Sequence, residues 1–197
     1  MYRMFSGCSS LVSIDFTNFD TSNVHSMQYL FSDCSSLTSL DLSNFNTENV
    51  ESMENMFFNC HSLASINLSN FDTSKVEDMK YLFFGCSSLT SLNLSNFNTQ
   101  EVTFINNMFD GCSSLTSIDL SNFLTNSLLS FQAINGLFYG CSKLTYIDIS
   151  SFSRLYYNYS LLFDDNIPSE GTIIVKNETI KNKIKNYIPN WKFIYKN

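Results

Sequence analysis

The sequence predicts an α/β repeat fold: a right-handed solenoid with a parallel β-sheet on its concave side, short helices on its convex side and a C-terminal α/β cap. Three observations predict it: a fixed spacing of the cysteines, a strand-like alternation of apolar and polar residues in each repeat, and a helix-like spacing of apolar residues after it. We interpret the cysteine spacing before the secondary-structure propensities of single residues, because a fixed period of this size reflects a repeated structural unit.

The six cysteines define the length of the repeat. They lie 26 residues apart in four successive steps and 29 apart in the last, at Cys8, Cys34, Cys60, Cys86, Cys112 and Cys141. We therefore expect residues 1–153 to form an array of about six units and residues 154–197 to form a capping segment. Residues 124–140 carry three extra residues, so the fifth unit is not expected to keep a regular helical segment.

Each unit contains a short stretch with a period of two. In the second unit, Leu37, Leu40 and Leu42 form the pattern LxxLxL, and the last two alternate with polar Ser39 and Asp41. This alternation predicts a short strand with one buried face.

A different spacing follows each strand. Over residues 50–60, apolar side chains recur at intervals of three and four, which predicts a short amphipathic helix capped by the preceding Asn46-Thr47 pair. No single unit can bury its apolar face alone, so the copies are expected to stack into a coil.

These motifs resemble a known family of repeats. LxxLxL followed by a large apolar residue looks like a leucine-rich repeat, and the fuller string M-x-x-M/L-F-x-x-C-x-S-L-x-S-L-D-L-S-N-F-D/N-T-x-x-V closely resembles the BspA-like repeats of bacterial surface proteins. The resemblance covers residues 1 to about 153. It implies a curved solenoid from a cell-surface or secreted protein, often associated with adhesion.

The tail is predicted to cover the open end of the array. Residues 171–175 read as a strand, residues 177–188 as a helix with Ile180, Ile184, Tyr187 and Ile188 on one face, and residues 191–195 as a final apolar stretch. A solenoid needs its apolar end covered. The order of strand, helix and Trp191 is also similar to the closing segment of many BspA-like arrays.

Composition excludes several classes of partner. The formal net charge of −7 argues against nucleic acid, because binding phosphates needs a basic surface. The chain has no apolar run of about eighteen residues, so no transmembrane segment is predicted, and its first residues lack the features of a secretory signal. We expect a monomer, and the extracellular or cell-surface location is implied by the family resemblance.

No motif for catalysis, a metal or a cofactor can be singled out, so the chain is predicted not to be an enzyme. It has no GxSxG or GxGxxG motif, and His25 and His61 occupy non-equivalent places in their repeats. The cysteines are expected to form a ladder of buried thiols. Disulfides between neighbours and metal binding are less favoured alternatives, because neighbouring Cβ atoms should point in parallel and no CxxC spacing is present.

The outward strand positions are the candidate binding site. They should line one face of the sheet, since alternate side chains leave opposite faces of a strand. This polar strip comprises Ser13, Asp15, Ser39, Asp41, Ser65, Asn67, Ser91, Asn93, Ser117, Asp119, Tyr146 and Asp148. The ligand would be a protein or glycan, with Ca²⁺ a weaker option. Alternatively, these short polar residues only keep the sheet soluble. Tyr146 stands where the other units carry a serine. Its side chain would contact the ligand, or would pack on Tyr156 or Tyr157.

Two further columns have structural explanations. One column is expected to form an interior spine and comprises Phe19, Phe45, Phe71, Phe97, Phe123 and Phe152. The other is expected to bond to the backbone at the turn that leaves each strand and comprises Asn18, Asn44, Asn70, Asn96 and Asn122.

The leading hypothesis is an adhesin-like, non-catalytic interaction module that contacts a host or neighbouring cell through the concave polar strip. A structural stalk that projects another domain is a second hypothesis. An intracellular protein-binding scaffold is a third.

Overall fold

The computed structural model, which describes residues 1–125, 127–128, 131–153 and 162–196, is a parallel β-solenoid with one coil per repeat unit. Its regular elements are short. In chain order they are β1 Ser39–Asp41, β2 Ser65–Asn67, β3 Ser117–Asp119, a 3₁₀ helix Phe131–Ile134, β4 Tyr146–Ile149, β5 Thr172–Val175, α1 Glu178–Ile184 and β6 Lys192–Tyr195.

Equivalent residues of successive units lie side by side. β1 pairs with β2 in parallel, with Leu40 opposite Ile66, and the second sheet has the order β3-β4-β5-β6. Ile118 lies opposite Ile147, so the register holds even where the repeat is longer. This pairing confirms that each repeat completes one turn of the backbone.

The prediction of a short helix in each unit is wrong. Residues 53–60 form linked turns, in which every second amide donates to the next coil. Met53 N donates to Asp78 O at 3.0 Å, whereas Met56 N donates back to Met53 O at 3.2 Å. Asn55 and Asn59 have φ of 56° and 57°, in the left-handed region that interrupts an α-helix.

The spacing of the coils gives the physical reason. Parallel strands stack about 4.8 Å apart, whereas an α-helix with its side chains is about 10 Å across. Helices could fit one per coil only if that side of the array opened into a convex surface. Here the turn segments hydrogen-bond from coil to coil as the strands do. The two sides therefore have the same spacing, and the reason for predicting a concave and a convex side no longer applies.

The interior is one apolar cluster built from columns of identical side chains. Phe57 and Phe83 stack with ring centroids 5.4 Å apart, and Phe83 and Phe109 follow at 6.0 Å. The predicted spine is also confirmed: Phe19 is half-buried and packs against the core, and the five later members of that column are buried.

The tail continues the sheet of the array. β5 pairs in parallel with β4, and β6 pairs in parallel with β5. α1 is shorter than predicted and begins after Asn177, whose side chain accepts a hydrogen bond from Ile180 N at 3.1 Å. Ile180, Ile184 and Ile188 of the predicted face are buried as expected. Tyr187 lies beyond the end of the helix and is exposed, so its assignment to that face is wrong.

Candidate interaction surface

The polar strip forms mainly from outward positions on neighbouring coils. Ser39 lies opposite Ser65, and Asp41 lies opposite Asn67. The members from the first and fourth units are exposed too, although they lie outside the named strands. The alternation seen in the sequence therefore places eleven of the twelve predicted residues on the exposed side, with Asp148 as the exception: Ser13, Asp15, Ser39, Asp41, Ser65, Asn67, Ser91, Asn93, Ser117, Asp119 and Tyr146.

The strip contains a row of Asp and Asn residues, one from each unit, whose side chains stabilise the turn that follows the strand. Asp41 Oδ1 accepts from Ser43 N at 3.0 Å, and Asp119 Oδ1 accepts from Ser121 N at 2.8 Å. This side-chain capping of the following turn explains why only Asp and Asn occupy the row. The hydrogen bonds from Ser43 lower the pKa of Asp41, and the Asn67 side chain donates to the same carboxylate at 3.0 Å.

The serines of the strip, here called the serine row, do not stabilise a turn in this way. The hydroxyls of this row make no hydrogen bond to any described residue, and all of them are exposed: Ser13, Ser39, Ser65, Ser91 and Ser117. Successive hydroxyls belong to successive coils, so they repeat at the spacing of stacked strands, about 4.8 Å. They are free to bind a ligand.

Asp148 departs from the prediction because it is buried, with 4% of its surface exposed. The pairing of β5 beside β4 places Ile174 opposite Asp148. Lys196 of the tail lies 3.4 Å from its carboxylate. Asp148 therefore joins the tail to the array rather than facing solvent.

Tyr146 ends the serine row and is 39% exposed. It lies opposite Ser117 on one side and Thr172 on the other. The alternative contacts predicted for it, Tyr156 and Tyr157, lie outside the described residues. Its exposed ring gives the strip one aromatic group.

The cysteines form the expected ladder of thiols, and all of them except Cys8 are buried. Cys60 Sγ donates to Phe31 O at 3.1 Å, and Cys86 Sγ donates to Phe57 O at the same distance. Burial raises the pKa of Cys34 to about 11 and that of Cys60 to about 12. Because the thiolate is the reactive and metal-binding form, the buried members of this ladder serve packing. Within the described residues, no three His, Cys, Asp or Glu side chains cluster closely enough to hold a metal.

Asparagines bind the backbone of the preceding coil, as predicted for Asn44, Asn70, Asn96 and Asn122. Asn96 Nδ2, for example, donates to Leu68 O at 3.0 Å and to Phe71 O at 2.8 Å. These bonds satisfy turn carbonyls that no strand pairing reaches.

A ladder of buried threonines was missed by sequence reasoning. Thr47 Oγ1 donates to Asp72 O at 2.9 Å and accepts from Asp72 N at 2.8 Å. The same pair of bonds recurs from Thr21 and Thr73. The signal was a threonine at the same place in five units. This threonine was interpreted as part of a helix cap.

No helix in the described part of the chain has the length and apolar character needed to cross a membrane.

Two overlapping stretches of the chain, residues 1–67 and 62–166, match a known protein family, described as Mycoplasma protein of unknown function, DUF285. Together they cover most of the sequence. No curated protein matches the chain.

Proposed function

The chain belongs to the DUF285 family, and from that premise we propose that it is a non-catalytic interaction module that binds a protein or glycan through its polar strip. One observation carries the proposal: the exposed serine hydroxyls repeat coil after coil without a hydrogen-bond partner among the described residues. A row of regularly spaced donors and acceptors suits an extended ligand with repeated polar groups.

The repeat motif supports a more specific proposal about which kind of interaction module this is. The 26-residue period and its M-x-x-M/L-F-x-x-C motif support a BspA-like variant of the leucine-rich repeat. That resemblance supports an adhesin-like role on the cell surface or outside the cell, with the ligand on a host or neighbouring cell. We propose that the chain acts there as a monomer.

A stalk that projects another domain is the second candidate. It is favoured by the ladders that join successive coils, since the Thr47 hydroxyl and the Asn96 amide both bond to a neighbouring coil. A spacer needs such stacking and no ligand.

The test replaces three serines of the strip by arginine: Ser39→Arg, Ser65→Arg and Ser117→Arg. These side chains are exposed and make no hydrogen bonds to described residues, so the fold should tolerate the change. The matched control introduces the same charge at three exposed positions outside the strip: Asn23→Arg, Gln100→Arg and Asn182→Arg. Each protein is applied to a glycan array and a panel of purified matrix proteins.

We expect the wild type and the control to bind the same ligand, and the strip variant to lose it. If the wild type binds nothing on either panel, or if the strip variant binds equally, the strip is not the site and the stalk is favoured.

A further inference from the structure

The outward positions of the turn segments vary between units, unlike the strand positions. At one of these positions the units carry Gln28, Glu54, Lys80 and Asn106, and at another the buried Ser32 and the half-buried Phe58, Phe84 and Asp110. The fold tolerates polar residues there, so aromatic ones need another explanation. We define the turn-face patch as Tyr29, Glu54, Phe58, Asp78, Lys80, Tyr81, Phe84 and Phe104.

Three aromatic rings of the patch form a cluster outside the core. Phe58 and Phe84 stack with centroids 4.7 Å apart, and the Tyr81 ring lies edge-on to them at 6.4 Å and 5.8 Å. All three rings are half-buried, and Phe104 is 39% exposed. Contiguous exposed apolar groups rimmed by polar residues mark interaction sites.

The charged groups of the patch cover part of this apolar surface. The Lys80 ammonium lies 5.9 Å from the Phe104 ring centroid. Two carboxylates hold it there, with Asp78 at 3.1 Å and Glu54 at 3.4 Å. Phe58 and Phe84 cover one face of each other, and the Tyr81 ring packs edge-on against the pair, which leaves less open ring face for a stacked sugar. An apolar side chain can pack against ring edges as well as ring faces.

The border of the patch is acidic. Glu51 and Glu77 are exposed, hydrogen-bond to each other through their backbones at 2.8 Å, and lie next along the chain to Ser52 and Asp78. With Glu54 and Asp78 this makes four carboxylates against two cations, Lys80 of the patch and Arg3, whose guanidinium lies 4.6 Å from the Tyr29 ring centroid. The excess of carboxylates favours a cationic partner.

We propose that the turn-face patch is a docking surface for a basic polypeptide segment, which inserts an aliphatic or aromatic side chain among Phe58, Tyr81 and Phe84. Lysine or arginine residues on one side of that anchor pair with Glu51 and Glu77, which lie side by side at one border of the patch. This surface is formed by turn segments, whereas the polar strip is formed by strands, so the inference does not depend on the function proposed above. Aromatic anchors within a charged rim are the usual basis of protein–protein affinity.

The experiment selects peptides from a random phage-displayed library on the intact chain and measures their affinity by fluorescence anisotropy. The first variant, Glu51→Lys with Glu77→Lys, changes only exposed side chains. Its matched control, Asp165→Lys with Glu170→Lys, makes the same change of charge in the tail. The second variant, Phe58→Ser with Phe84→Ser, introduces the residue that the preceding unit carries as Ser32.

We expect enriched peptides in which lysine or arginine flanks an apolar residue. They should bind the glutamate variant and the phenylalanine variant about tenfold or more weakly, bind the tail control as tightly as the wild type, and weaken as salt is added. The arginine variant of the polar strip should bind them normally.

The proposal is overturned if no peptide family is enriched, or if the enriched peptides are acidic. It also fails if they bind both patch variants as well as the wild type. If the phenylalanine variant instead loses a ligand on the glycan array, the patch is a sugar site and the basic peptide is excluded.

Discussion

The Thr47 hydroxyl donates to Asp72 O and accepts from Asp72 N, at 2.9 Å and 2.8 Å, so one buried side chain satisfies both main-chain groups of a residue in the next coil. This pair of bonds replaces strand pairing at the corner where each coil leaves the strand. A buried backbone group that loses its partner is costly. The threonine ladder is therefore essential for stacking.

Replacing Thr47 by valine should test this dependence. Valine keeps the shape of the side chain but leaves Asp72 N and O without their partner, which should lower the free energy of unfolding by about 1–3 kcal/mol. Urea denaturation followed by circular dichroism measures the change. Thr38→Val is the matched control, because Thr38 is exposed and should be nearly neutral. Equal effects of the two substitutions would show that the hydroxyl bonds do not stabilise the corner.

The inward and outward positions of the segments that form the polar strip should differ sharply in their tolerance of change. Leu94 is buried, so Leu94→Asp places an unpaired charge in the core and should destabilise the fold by several kcal/mol. Asn93→Ala removes one exposed hydrogen bond, from Ser95 N at 3.1 Å, and should cost about 1 kcal/mol or less. Thermal melts of both variants measure this. Comparable losses would contradict the assignment of the strand faces.

The columns of buried side chains could be predicted from the sequence, because the repeat alone determines which residues are equivalent. The turn segments could not be predicted from apolar spacing, since linked turns and a helix both place residues at intervals of three and four inward. A second signal was present. Where Asn59 has positive φ, other units carry Gly85, Asp33 or Gly111, the residue types that adopt the left-handed region most readily.

The polar strip was predictable from alternation, but the burial of Asp148 was not. Asp148 is covered by β5 and Lys196, which lie 24 or more residues further along the chain and have no counterpart in the repeat. The aromatic turn-face patch was missed because its segments were interpreted as helices and only their inward apolar positions were predicted.

Asp110 should make stability depend on pH. Burial and the nearby charge of Asp164 raise the pKa of Asp110 to about 6 from its usual 3.8. Because the folded chain holds this proton more tightly than the unfolded chain, the stabilisation is complete below the unfolded pKa and is lost as the pH rises through about 6.

Asp110→Asn should therefore raise the free energy of unfolding at pH values above that range by about 1 kcal/mol, after allowance for solvent screening. The gain should vanish in acid. Urea titrations across the pH range measure it. Asp165→Asn is the control, because it makes the same substitution at an exposed carboxylate. A gain that does not depend on pH would exclude the titration of Asp110 as its cause.

Removal of residues 172–197 should test whether the tail caps the array. The deletion exposes the edge of β4 and removes the buried side chains of Ile173, Ile184 and Trp191. We expect aggregation or loss of cooperative unfolding, because an open end of a solenoid leaves apolar surface and unpaired strand groups in water. Light scattering and a thermal melt measure this, and an unchanged melt would refute the capping role.

The thiols should report on the stacking of the coils. Cys8 is exposed, whereas the other five cysteines are buried, and burial raises the pKa of Cys60 to about 12. Because a thiol-specific reagent attacks the accessible thiolate, one thiol should react quickly in the folded chain and the remaining five only as fast as the chain opens. Absorbance of the released chromophore measures both phases. Cys8→Ser should abolish the fast phase alone, and several thiols reacting at its rate would show that the coils do not stack as described.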